Sequence, residues 1–163
     1  MAFFVRTLYV FPGILMQNVT PHISYHWKKN EINILNGKLK KVRNINLIVL
    51  LFQFLMLLAI YKFVILHITV GFESTYGAFF IATIGTLIFA QISWGGSVLV
   101  MTEKLKANFQ RTLIVLILNI TVCTLFTSSL GFIGSVSAIS FNAVLSFLLL
   151  RRFVYRQTGL QLI

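Results

Sequence analysis

The sequence predicts an all-α fold, a polytopic transmembrane helical bundle of about five spans, and three observations predict it. Residues 112–150 run for 39 positions without a charged side chain, nearly twice the roughly 20 apolar residues that cross a hydrocarbon core. The chain is 58% hydrophobic and 10% charged with a mean hydropathy of +0.90, whereas a soluble domain carries about 25% charged residues. Finally, twelve of the 14 Lys and Arg fall in alternate gaps between the apolar runs, as the positive-inside rule requires of a multi-pass protein.

The spans follow in order. Span one covers residues 3–19, apolar apart from Arg6, Thr7, Gln17 and Asn18, with Pro12 and Gly13 placed to kink or loosen it. Residues 20–44 form the main polar loop, holding Lys28, Lys29, Lys38, Lys40, Lys41 and Arg43. Ile32, Leu35 and Leu39 recur there at helical spacing among basic neighbours, which predicts a short amphipathic helix along the lipid headgroups. Span two, residues 45–70, carries Gln53 in its middle and Lys62 and His67 towards its end. Residues 71–75 make a brief turn. Span three, residues 76–101, contains Ser93, Gly95, Gly96 and Ser97, a cluster that lets a neighbouring helix approach closely or lets the helix unwind beside a cavity.

The charge-free run supplies the last two spans, 112–130 and 134–150, folded at Gly131 and Gly134, which give the backbone freedom a tight reversal needs. Thr112, Asn119, Cys123 and Thr127 share one face of the first arm, and Ser135, Ala138, Asn142 and Ser146 share one face of the second. The two stripes are placed to face each other. They would close the hairpin by packing and hydrogen bonds, or line a hydrophilic path.

Counting Lys and Arg gap by gap gives six, none, three, none and three. The loops after spans one, three and five are therefore expected in the cytoplasm, with a cytoplasmic C-terminus. No cleaved targeting segment is expected at the start, since the first residues lack a basic cluster and no small-residue cleavage site follows.

Several chemistries are excluded by the residues available. Glu31, Glu73 and Glu103 are the whole acid supply and all lie in gaps, so no buried carboxylate pair exists. The single cysteine, Cys123, rules out an intrachain disulfide. His22 and His26 stand one helical turn apart, a usable ligand spacing, but without the Glu of a zincin motif and with only three histidines in all a metal centre is not expected. No catalytic triad or phosphate loop is present, so an enzyme, a cofactor and a resident metal are not expected. The net charge of +11 lies in gaps rather than on one face, so it speaks for anionic lipids rather than nucleic acid. The polar residues inside spans that could line a path are Gln53, Lys62 and Gln91, although Lys62 is equally suited to snorkel to the interface.

The segments Leu116-Ile117-Leu118-Asn119 and Leu130-Gly131-Phe132-Ile133-Gly134-Ser135 resemble the last two helices of bacterial polysaccharide and O-antigen flippases, oligosaccharide members of the multidrug/oligosaccharidyl-lipid/polysaccharide exporter superfamily. Pro21-His22-Ile23-Ser24 resembles the helix end before their basic cytoplasmic loop, and residues 71–76 their outer turn before the tenth span. The resemblance covers about residues 3–159 and implies spans eight to twelve of a two-lobe exporter in the bacterial inner membrane. It implies a partial or truncated flippase that moves an anionic undecaprenyl-linked oligosaccharide by alternating access, with the N-terminal lobe elsewhere. The alternative class is a small non-catalytic scaffold or accessory subunit that self-associates through its small-residue stripes.

Overall fold

The structure is a computed structural model and describes residues 7–65 and 75–162. The expected turn at 71–74, His67 and the first residues of span one lie outside the described residues. A 3-10 turn, Thr7–Tyr9, leads into α1, Val10–Lys28. Then come α2, Ile32–Ile60, prolonged by a π-helical turn at Tyr61–Ile65; α3, Thr75–Ala90; α4, Gly95–Met101; and α5, Leu105–Thr158. There is no strand among the described residues.

Three helical stretches are long and apolar enough to cross a membrane: Ile32–Phe63, Tyr76–Met101 and Leu105–Thr158. α5 is two helices folded at Gly131, whose φ of 58° and ψ of −133° leave helical space. An L-residue rarely adopts such a backbone, which is why a glycine stands there. Across the corner Thr127 Oγ1 lies 3.4 Å from Ser135 Oγ, Asn142 Nδ2 lies 3.6 Å from Cys123 Sγ, and the Phe126 and Phe141 rings stack at 5.9 Å. A Cβ on Gly134 would stand 1.9 Å from the Phe126 carbonyl oxygen, so the second glycine is needed for the approach of the arms.

The polar gap of residues 20–44 differs from the expectation. α1 continues through Pro21 to Lys28, and α2 begins at Ile32 and runs unbroken into the apolar stretch. Only residues 29–31 are left as a turn, with Asn30 at φ 57° and the Asn30 and Glu31 amides donating back to Trp27 and His26. Glu31 and Lys38 flank His26: Nδ1 meets Glu31 Oε2 at 2.6 Å and Lys38 Nζ donates to Nε2 at 2.8 Å. Leu35 and Leu39 do not lie on headgroups; they are fully buried with Ile23, Ile92, Leu99, Leu150 and Val154. Aliphatics at helical spacing seek any apolar partner, and here the bundle supplies a drier one than the interface. Pro12 makes no kink, because it sits in the first turn of α1 where a missing amide costs little.

The core falls into two clusters at opposite ends. One gathers Met16, Leu35, Trp94, Val98, Leu150 and the tail residues Leu160 and Leu162. The other gathers Leu8, Leu50, Leu57, Tyr61, Phe79 and Val136, with Tyr61 stacked on Phe79 at 4.0 Å. The three basic segments, near Lys38, after Met101 and from Arg151, all adjoin the first cluster. They therefore share one end of the bundle, while the Gly131 corner is at the other.

Two glycines set how closely the helices pack. At Gly85 an added Cβ would fall 2.3 Å from Ser140 Cα, and Ser140 Oγ donates to the Ile81 carbonyl at 2.5 Å. At Gly95 an added Cβ would fall 2.7 Å from Leu162 Cδ1. α3 thus lies against the backbone of the second arm of α5 at Gly85, the close approach that small residues permit in membranes, while Gly95 on α4 makes room for the Leu162 and Leu150 side chains.

Candidate functional site: a polar cleft between the hairpin and the broken helix

Helix three does unwind at the small-polar cluster. Residues 91–94 form a turn between α3 and α4, which frees the carbonyls at the end of α3. Asn46, fully buried on α2, takes them up: its Nδ2 donates to Ala90 O at 3.3 Å and to Gln91 O at 3.2 Å. Gln91 donates from Nε2 to the Arg43 carbonyl at 3.0 Å, and Trp94 Nε1 donates to Gln91 O at 2.9 Å. The break is held by side chains rather than left open, which answers the cost of unpaired backbone groups away from water.

Beside the break lies a cleft of about 300 Å³ walled by both arms of α5, by α3 and by the start of α1. Arg111, Asn119 and Cys123 come from the first arm, Asn142 and Ser146 from the second, and Tyr9 and Thr86 close it. Thr86 Oγ1 donates to Ala82 O at 2.8 Å and stands beside the Tyr9 hydroxyl. Arg111 is half-buried and donates to Thr112 Oγ1 at 3.3 Å, yet its Nε has no partner. Asn142 Oδ1 and Asn108 Oδ1 are likewise buried and unpartnered. Gly96 leaves room for this group: an added Cβ would lie 3.6 Å from Asn108 Oδ1 and 3.9 Å from Arg111.

Such a cleft has unspent hydrogen-bonding capacity of both signs and one fixed cation. Buried polar atoms are ordinarily paired, so the unpartnered Arg111 Nε and Asn142 Oδ1, on residues that both line the cleft, mark a place suited to a polar partner. The guanidinium presents planar donors suited to a phosphate or carboxylate. No group of three or more His, Cys, Asp or Glu is close enough to hold a metal among the described residues.

The stripes expected on the hairpin meet in this cleft through Asn119, Cys123, Asn142 and Ser146, while Thr112 turns outward and bonds its own Asn108 carbonyl. Gln53, Lys62 and Gln91 are not brought together. Gln91 is spent on the helix break; Gln53 has a buried, unpartnered Oε1; Lys62 is exposed on the π-helical turn, 5.8 Å over the Phe63 ring. Arg111 is the residue that sequence reasoning missed, having been counted as the end of a polar gap. Its signal was present: Asn108, Arg111, Val115, Asn119 and Cys123 continue one helical stripe across the boundary.

No protein-family model, curated protein or solved structure matches this chain.

Proposed function

We propose that the chain forms part of a membrane transporter for a lipid-linked oligosaccharide, a polysaccharide flippase that works by alternating access with no covalent chemistry. The observation that carries this reading is the cleft holding Arg111 between the hairpin and the broken helix. A cation in a membrane bundle is expensive and is retained where it meets an anion. The phosphate linkage of a polyprenyl carrier is an anion of the right kind. Discontinuous helices beside a polar cleft belong to the same design, because an unwound turn supplies polar backbone where apolar helix would not.

In this reading the chain crosses the bacterial inner membrane about five times, counting α1 and both arms of α5, with the basic end and the C-terminus in the cytoplasm. The path runs past Arg111, Asn119 and Asn142, with Gln53 deeper in the bundle and Lys62 anchored at the interface. The resemblance of residues 116–140 to the closing helices of such exporters supports it independently.

The first arm also supports a second reading. The most apolar 18-residue window of α5 has no buried residue, so this arm is open to another helix. That helix belongs to a missing lobe in a transporter, or to a second copy in a scaffold.

The test is reconstitution into liposomes with a polyprenyl-pyrophosphate oligosaccharide, alone and with any co-purifying lobe, reading sugar exposure to an impermeant glycosidase. Arg111→Gln should slow translocation about tenfold, as loss of a charged hydrogen bond does, while Lys62→Ala should not. Equal rates for Arg111→Gln and the parent would overturn the reading. A defined homo-oligomer without translocation would favour the scaffold.

A further inference from the structure

The tail after α5 does not trail away. Gly159 adopts φ 69°, the Leu160 amide donates to Thr158 Oγ1 at 3.2 Å, and Leu160 and Leu162 are buried in the basic-end core. The Gln161 amide donates to Asn36 Oδ1 at 3.0 Å, which pins the tail across the start of α2. Two depressions flank it. One, of about 480 Å³, is lined by Arg151, Arg152 and Tyr155 with Leu148, Leu160 and Leu162; the other, of about 360 Å³, by Lys40, Arg43, Asn36 and Gly37. Gln161 lines both.

The two depressions meet at Gln161, and each carries one basic wall. Asn36, Lys40 and Arg43 fall on one face of α2, and Leu148, Arg152 and Tyr155 on one face of α5. Neither depression is lined by an acid. Each wall also stands where its helix passes from apolar to basic sequence, at residues 43–45 and 150–151, which is the depth of a phospholipid headgroup. Leucines beside arginines suit a molecule with a charged head and an apolar stem.

We propose that the two depressions bind anionic phospholipid, with headgroup phosphate held by Arg151 and Arg152 on one side of the tail and by Lys40 and Arg43 on the other. The lipid clamps the tail to α2. It reinforces the Gln161–Asn36 hydrogen bond and the shared burial of Leu35, Leu39, Leu160 and Leu162, and it offsets part of the repulsion among four like charges. This site is separate from the cleft at Arg111 and stands whether or not the chain is a flippase.

The experiment is lipid retention in nanodiscs of phosphatidylcholine doped with phosphatidylglycerol, read by mass spectrometry of the purified chain. The parent should retain phosphatidylglycerol in preference to phosphatidylcholine. Arg151→Gln/Arg152→Gln and, separately, Lys40→Gln/Arg43→Gln should each lower that retention about tenfold, each cation near a membrane surface adding a comparable share of the attraction. Lys104→Gln/Lys106→Gln removes the same charge from the same end outside the depressions and should change retention less than about twofold. Equal loss in that control would reduce the effect to diffuse surface charge and overturn the site. So would equal retention of phosphatidylcholine. Full displacement of phosphatidylglycerol by millimolar inorganic phosphate would show a free-phosphate site and overturn the lipid assignment. Circular dichroism of each variant checks that the helices remain, and the two walls give independent variants.

Discussion

Replacing Gly85 by alanine puts the close contact of α3 with the second arm of α5 to a direct test. The new Cβ would lie 2.3 Å from Ser140 Cα, 2.6 Å from its Cβ and 2.8 Å from its Oγ, against 3.4–4 Å for ordinary contact. The nearest atom is backbone and cannot rotate away, so α3 and the second arm must separate by about 1 Å. Separation on that scale forfeits a quarter to a half of the dispersion attraction along the contact, roughly, and stretches the Ser140 to Ile81 hydrogen bond. Overpacking of this kind costs about 1–3 kcal/mol. Set against it, alanine in place of glycine inside a helix returns roughly 0.5–1 kcal/mol. A net loss of about 1–2 kcal/mol follows, some 5–30-fold in the folded-to-unfolded ratio. The assay is reversible unfolding in mixed micelles, with Gly77→Ala on the same helix as reference, since nothing lies within 4 Å of its added Cβ. Gly77→Ala should be neutral or stabilising. Gly85→Ala at or above wild-type stability would refute the close approach, and with it the register of α3 against the hairpin.

At the corner, Gly131→Ala forces an L-residue into φ 58°, ψ −133° and should destabilise by about 1–3 kcal/mol. Cysteines at Thr127 and Ser135 in a Cys123→Ser background should couple through a short bifunctional maleimide, and less efficiently once Gly131 is replaced. Asn46→Leu removes one of two side-chain donors to each of the Ala90 and Gln91 carbonyls, which keep Ser93 Oγ and Trp94 Nε1; a loss of about 0.5–1.5 kcal/mol is expected by the same unfolding assay, and faster amide exchange at residues 91–95 would locate it. Leu160→Ala empties a fully buried site in the basic-end core, should cost about 2 kcal/mol or more, and should expose the tail to carboxypeptidase.

How far the chain could be read before folding depended on the range of the forces involved. The membrane class, the hairpin and its glycine corner were legible because a charge-free run of 39 residues and a backbone reversal are local facts. Unwinding at residues 91–94 was one of two outcomes open to the small-polar cluster, and the structure shows both: a break, and tight packing of Gly95 on the tail. Residues 20–44 were misread as a gap, since a high density of lysine looks like loop whether or not the helix continues beneath it. Gln91 looked like a path residue and proves to be a clasp for its own helix break.

The sequence by itself determined that this is a helical membrane protein, where its chain must turn, and that its cations gather at one end, because hydropathy, glycine backbone freedom and charge act through neighbours in the chain. Only the tertiary structure decided which polar groups go unpaired in a common cleft, that Arg111 rather than Lys62 is the cation drawn inward, and that the last residues fold back between two basic depressions. Burial is a property of where several helices converge. A residue's own neighbours in sequence cannot specify it.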